Sequence, residues 1–537
     1  MVALIGLLAL TSAGAVVAER DQPATLPGFG GSYVEGVVGT VSHLNPLLAQ
    51  TDVDRDVVRL VFTGLTRSDR NGEIVPDLAA SVRVEDEGRL WTFELRDDAR
   101  WHDGAPVVAD DVVYTVGLLQ DERYTGAYAE AFRGVVVERV ATRVVRFTLP
   151  GAYGPFGGST TFPLLPSHRL KGRTLGDLGL DPFDRMPIGT GPFKLSFVDE
   201  REVTLLANLD FYRTRPERTR PYLDRLVLRS YRDASEALMA LANGELDGVS
   251  TVSSADAERA RALPTIAIYS YPTNDYVALF LDLRPAKTVF RERAVRQAIA
   301  TAIDRGRILD LAVDGRGRVA DTFVPRTSWA YSDGIVRYEH SLEQARDLLE
   351  RAGWLDLDGD GAREKGDVAL RFTIDSSDEP ARASAGARIV EDLKQVGIWT
   401  ELRLHPFGEL VEQVIRTRDF DALLVGISST PEPDPYSFFH SSQTTDPGFN
   451  FSGYSTLTMD RALEAARRTA DRDERKRLWA PVMQTISTEV PAVYIYFADH
   501  LYAQHRSVKG AKVASIVEPT GRFWDVEDWY VKSAPRR

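Results

Sequence analysis

Residues Pro76 to Asp111 constrain the fold of this chain more than any other stretch. Trp91, Phe93 and Leu95 alternate with Thr92, Glu94 and Arg96, the period-two pattern of a strand with one face in a core. Together with the residues before it, this strand reads as a hairpin. Trp101, His102, Asp103 and Gly104 then read as a tight, exposed turn. Asp110 and Asp111 suit the first turn of a helix through Val112, Val113 and Val116, where carboxylates meet the positive end of the helix dipole. Nothing in the stretch is arranged for catalysis.

Strands and helices keep alternating downstream without a fixed period, which excludes a repeat architecture and predicts mixed α/β lobes. Strand-like runs begin at Val203, Leu226, Ala278, Ala422 and Val493. Helices carry their own start and stop signals. Asp233 with Glu236 forms a capping box ahead of Leu238 and Leu241, with Gly244 as the stop. Ser341 with Gln344 does the same ahead of Leu348 and Leu349, stopped by Gly353, and Val295, Ala298, Ile299 and Ala302 form a further helical stripe. At 537 residues the chain exceeds one hydrophobic core.

The net charge of -13 argues against nucleic acid as a partner, because phosphate binding needs a basic surface. The chain has no cysteine, which removes disulfides, thiolate metal sites, Cys nucleophiles and the lipid-modified Cys of a lipoprotein. Residues 2–18 form an uncharged apolar run with small residues at Ala13, Ala15 and Ala18, as in a secretory signal peptide or an uncleaved N-terminal anchor. No Lys or Arg precedes that run, and it is at the short limit for spanning a bilayer. The expected location is extracytoplasmic, periplasm or cell surface. Residues 19–29, rich in Pro and Gly, read as a linker.

Enzyme signatures are missing. There is no GxxxxGKS/T phosphate loop, no GxSxG elbow and no HExxH, and Gly189 and Gly191 lack the third glycine of a dinucleotide turn. The eight His are scattered, with no helical metal pair among them. One local motif stands out. Asp356, Asp358, Asp360, Gly361 and Glu364 match a calcium loop, with Asp367 where a bidentate Glu is usual. Oxygen-only ligands suit a hard cation, so structural calcium is one reading, and an acidic turn after the Gly353 helix stop is the other. No cofactor is required by either.

Several separated motifs occur in a fixed order: LNPLLA (Leu44–Ala49), VFTGLTR (Val61–Arg67), IVPDLA (Ile74–Ala79), WHDG (Trp101–Gly104), PIGTGPFKL (Pro187–Leu195), NGELDG (Asn243–Gly248), VRQAI (Val295–Ile299), the LLERAGW block (Leu348–Trp354) and DPYSFFHSSQ (Asp434–Gln443). In this order they resemble the extracellular solute-binding proteins, family 5, that feed peptide and nickel ABC importers. The resemblance runs from about Ser32 to Val531. It implies a non-enzymatic protein that requires no cofactor, in which two lobes of a periplasmic-binding-protein-like fold (type II, large three-domain variant) close over a ligand.

 It also implies an order along the chain: lobe one from 30–58, 187–282 and 499–537, an inserted domain at 59–186, lobe two at 283–498, and hinges near Asp282 and His500.

What the resemblance implies for the ligand site centres on residues 426–436, a proline-stiffened loop after the strand at Ala422. Peptide-binding relatives place an Asp for the ligand's ammonium group here, beside a Trp. This chain has no such Trp, and the Asp position falls at Thr430 or Pro431, with Glu432 and Asp434 as substitutes. Ser428, Ser429, Thr430, Glu432, Asp434 and Tyr436 are therefore the expected ligand contacts, joined by Gln50, Thr51 and Asp52 in the loop after Leu44, by Asp282, and by Asn450 and Tyr454. A capped turn opening the next helix is the competing reading of Asp434 and Tyr436. Trp524 and Trp529 are expected to pack lobe one. The implied partners are a peptide or other small solute and an ABC permease, with the binding protein a monomer. Oligosaccharide is the rival ligand, stacking on Trp399, Tyr436 or Tyr454, and a membrane-tethered sensor without a permease is the rival role.

Overall fold

The computed structural model describes residues 26–126, 128–284, 289–428 and 432–534. The apolar segment 2–18, Ser429 and Thr430 lie outside the described residues.

Two long strands organise the molecule. Ile266–Leu281 and Ala492–His505 run antiparallel side by side, and every other strand of the large sheet is added to one flank or the other. On one side Ala422–Ile427, Arg371–Ser377 and Trp399–His405 complete the sheet of lobe two. On the other, Gly248–Val249, Ser32–Val38, Arg225–Tyr231, Glu202–Ala207 and Phe193–Val198 build lobe one. The pairing of the two long strands is broken between Pro272 and Tyr276, opposite Phe497–Asp499. Proline cannot donate to a ladder, so this is where pairing is weakest. Thr273 Oγ1 fills part of the gap by donating to the Ala498 carbonyl at 2.7 Å. Asp282 lies past the end of its strand on the lobe-two side, away from this break.

The strands read from sequence at 203, 226, 278, 422 and 493 all lie inside this sheet. Helices Ala234–Ala242 and Leu342–Arg351 start on the predicted caps, with Asp233 accepting from Glu236 N and Ser341 from Gln344 N. Gly244 and Gly353 follow their ends at φ 79° and 83°, the left-handed conformation that suits glycine.

Strand Leu90–Leu95 pairs with Ala79–Glu85 and with Val144–Thr148 in a separate four-stranded sheet. Its inward residues Trp91, Phe93 and Leu95 are buried against Phe147 and Phe156, as alternation demands. The turn expected at 101–104 forms and is exposed at Asp103 and Gly104, but the exposure expected of Trp101 is corrected: it is only 2% exposed. Its indole Nε1 donates to Asp111 Oδ2 at 3.0 Å. The other Asp111 oxygen accepts from Ser167 N and Oγ at 2.8 and 2.6 Å, so this carboxylate pins turn, helix and loop together. The linker expected at 19–29 is corrected at its end. Leu26–Gly28 is a short strand antiparallel to Lys532–Ala534, a two-stranded position where Pro27 is tolerated.

Candidate functional site

A cavity of about 1510 Å³ lies between the lobes. Cavities that hold drug-sized ligands run to roughly 1,000 Å³, so this one has room for a larger molecule. Lobe one supplies helix Asp52–Val61 and the segment 515–527; the region of the four-stranded sheet supplies Tyr124, Tyr128, Tyr153 and Gly158; lobe two supplies Tyr276, Phe323, Phe438 and the loop after Ala422–Ile427. The walls also touch each other. Gly154 N donates to the Arg467 carbonyl at 2.7 Å, and Arg472 bridges Glu73 at 3.3 Å and Glu432 at 2.6 Å. A Cβ at Gly154 would fall on the Thr469 carbonyl, so only glycine permits this approach.

Of the residues singled out in the sequence, Ser428, Glu432 and Asp434 line the cavity. The two acids are not free to take a ligand's ammonium. Glu432, 7% exposed, is ion-paired to Arg472 at 2.6 Å and to Arg475 at 3.0 Å. Asp434 Oδ2 accepts from Arg467 Nε at 2.9 Å and from its terminal nitrogen at 2.5 Å. A carboxylate enclosed this way must keep its cation or lose its solvation uncompensated. These pairs staple the loop to helices Leu457–Arg467 and Arg472–Glu489.

The remaining expected contacts have structural duties. Thr51 caps helix Asp52–Val61 by accepting from Asp54 N at 3.0 Å, and Gln50 N donates to Asp54 Oδ2 at 3.0 Å. Although Asp54 is desolvated, four backbone N–H donors from Ser42, Gln50, Thr51 and His43 hold its carboxyl below the usual range. Asp52 pairs with Arg55 at 2.5 Å. Asp282 Oδ1 accepts from the Arg284 backbone at 3.0 Å and its Nε at 2.8 Å. Asn450, fully buried, donates to the His440 and Tyr454 carbonyls at 3.3 and 3.0 Å. Tyr436 is sandwiched, with the Arg467 guanidinium 3.6 Å from its ring centre and His440 stacked at 4.0 Å. Gln50, Thr51, Asp52, Asp282, Tyr436, Asn450 and Tyr454 are not among the lining residues. Nor is Trp399, whose ring packs under Arg371 at 4.7 Å, so the three aromatics named for sugar stacking all sit elsewhere.

Of the two C-terminal tryptophans, Trp529 is fully buried in lobe one, whereas Trp524 faces the cavity and donates Nε1 to the Lys512 carbonyl at 3.0 Å. In the acidic loop, Asp356, Asp358 and Glu364 bring carboxylate oxygens within 4.8 Å of one another. Asp360 is drawn instead to Arg371 at 2.5 Å, and Asp367 is not part of the cluster. None of these five residues lines the cavity, and among the described residues no other cluster of His or carboxylates could hold a metal.

Sequence reading missed Arg59. It projects from helix Asp52–Val61 into the cavity, and among the described residues it has no hydrogen-bond or ion-pair partner. A signal was present: Arg55 and Arg59 stand one turn apart, with Asp52 within reach of only the first.

Two lobes joined by a pair of long antiparallel strands, with a large open cavity between them, are the architecture of a solute-binding protein. The chain belongs to the bacterial extracellular solute-binding proteins, family 5 Middle, whose sequence profile matches residues 73–450. That family binds solutes for ABC importers and is not enzymatic. The chain is 28% identical to the oligopeptide-binding protein AppA of Bacillus subtilis, over 99% of this chain and 97% of the relative. The solved structure of that AppA in complex with a nonapeptide superposes with a TM-score of 0.70, covering 94% of this chain and 100% of the other. NikZ from Campylobacter jejuni in complex with Ni(L-His) gives a TM-score of 0.72 at 27% identity, covering 93% and 99%.

Proposed function

We propose that this protein captures a peptide-like solute outside the cytoplasm and delivers it to an ABC permease. The observation that carries this reading is the size and placement of the cavity: about 1510 Å³, walled by both lobes, is room for a chain of several residues. Capture would proceed by closure about the broken pairing at 272–276, where the sheet bends most easily, and the permease would read the closed form that ligand makes dominant. The similarity to a protein crystallised with a nonapeptide supports the same ligand class. The direct test is native mass spectrometry of the protein purified gently from cells. Excess mass that fragments into amino-acid residues supports the proposal; excess mass in hexose units, or a metal complex, overturns the peptide ligand.

A further inference from the structure

The first-lobe wall of the cavity holds two opposite charges that nothing in the protein satisfies directly. Arg59, on helix Asp52–Val61, and Glu518, on the segment after Ile516, both line the cavity, and among the described residues neither side chain has a hydrogen-bond or ion-pair partner. Their charged neighbours are already used. Arg213 is held by Asp77 at 2.6 Å and Glu527 at 3.4 Å, and Arg55 by Asp52 at 2.5 Å. Burial lowers the Arg59 pKa and the charge on Arg213 lowers it further, against the longer-range pull of Asp77, Glu518 and Glu527. Desolvation raises the pKa of Glu518, against the pull of Arg59 and Arg55. Arg59 thus pays desolvation without a direct contact in return, and Glu518 stands exposed on the same wall with no direct contact of its own; a bound molecule of matching charge would supply both. Across the cavity, Phe407 and Phe449 are 66% and 49% exposed, with Phe438 packed beside Phe449 at 5.8 Å. Exposed aromatics grouped in a cavity mark a surface for an apolar body.

We propose that Arg59 anchors a carboxylate of the ligand and Glu518 a cationic group of the same molecule, so that the cavity selects amino-acid-derived ligands with a free carboxylate and an apolar body lying on Phe407, Phe438 and Phe449. This rests on the peptide reading above and adds to it where the charged groups go: to lobe one, and not to Glu432 and Asp434, which lobe-two arginines occupy. Arginine suits the task because its planar fork meets a carboxylate with two parallel hydrogen bonds.

The test uses the purified protein and a pool of apolar peptides of Ala, Leu and Phe, made as free acids, as C-terminal amides and with acetylated amino termini, with binding measured by calorimetry. The wild type is expected to favour the acids by roughly ten- to a hundredfold, the range of charge-assisted hydrogen bonds. Arg59→Gln should bind acids and amides alike, at the wild type's affinity for the amides. Glu518→Gln should keep the preference for acids and lose that for a free over an acetylated amino terminus. Equal binding of acids and amides by the wild type overturns the inference without any variant. So does a folded Arg59→Gln protein that still favours acids, in which case only water meets this guanidinium. If no peptide of either kind binds the wild type, the peptide reading itself fails, and this inference with it.

Discussion

The two walls of the cavity treat charge in opposite ways. On lobe two, Glu432 and Asp434 are paired with Arg467, Arg472 and Arg475. On lobe one, Arg59 and Glu518 face the same cavity without a direct partner. The first arrangement makes a rigid surface out of residues that look like ligand contacts in the sequence. The second leaves charge that a ligand can complete. An acid in a binding loop is therefore evidence of recognition only after the nearby arginines have been counted.

The most severe way to break this contrast is Glu432→Ala. It leaves Arg475, itself 3% exposed, without its carboxylate, and removing one partner of a buried pair costs about 3–5 kcal/mol. The expected result in urea denaturation is a loss of that order, with ligand affinity of the folded fraction little changed. Unchanged stability with collapsed affinity would return Glu432 to the ligand.

Next in size is a pH effect on lobe one. Asp525 is 3% exposed, and burial raises its pKa from 3.8 to about 7, with Glu527 and Asp528 adding to the rise while Trp529 Nε1, donating at 2.9 Å, and Lys512 oppose it. A carboxyl raised on folding holds its proton more tightly when folded than unfolded. Its contribution therefore favours the fold at low pH, declines as pH climbs from about 4 to about 7, and stays unfavourable above. Asp525→Asn should abolish that decline and gain on the order of a few kcal/mol at pH 8, read from denaturation midpoints across the range. His500, whose pKa burial lowers to about 4, acts in the opposite direction as pH falls, so the comparison is between variant and wild type at each pH. Parallel pH profiles for the two proteins would show that this wall is not storing charge.

A smaller effect is expected where the walls meet. Gly154→Ala puts a methyl group on the Thr469 carbonyl and disrupts the bond from Gly154 N to Arg467. The closed form should become less populated, raising the apparent Kd by about tenfold, because affinity scales with the competent fraction. Small-angle scattering of the ligand-free protein should show a larger radius; an unchanged radius and Kd would mean that this contact does not hold the lobes.

Local pattern carried the fold further than the site. Alternation at Trp91, Phe93 and Leu95 and the caps at Asp233 and Ser341 are decided by neighbours a few residues away, and the structure repeats them. Trp101 was misread because its burial depends on Asp111 and the Ser167 loop, partners that a turn signal does not contain. The same limit governs the loop at 428–436. Its acids were legible, but the arginines that occupy them come from helices that begin well downstream, at Leu457 and Arg472. Arg59 was half visible for the converse reason: its spacing from Asp52 and Arg55 was legible, but its place on the cavity wall, away from the remaining acids, is a property of the assembled protein.

The acidic loop at 356–367 gives the smallest predicted effect and extends the comparison outside the cavity. Asp356 already accepts from Gly359 N at 2.8 Å and Gly361 N at 3.2 Å, and Glu364 Oε1 accepts from Leu357 N at 2.6 Å. Those bonds hold Asp356 and Glu364 close to Asp358 within a turn the protein can form unaided. We propose that calcium adds to this turn weakly, since Arg371 competes for Asp360 and Asp367 stands outside the cluster. Millimolar calcium should then stabilise the protein by no more than about 1 kcal/mol over a chelator control, the linkage expected at a few times Kd. Asp358→Asn should remove most of that gain, and Arg371→Gln, which releases Asp360, should enlarge it. If calcium leaves the midpoint unchanged in all three proteins, the loop is satisfied in the manner of Glu432 and Asp434, by its own backbone and arginine, and no ion is needed.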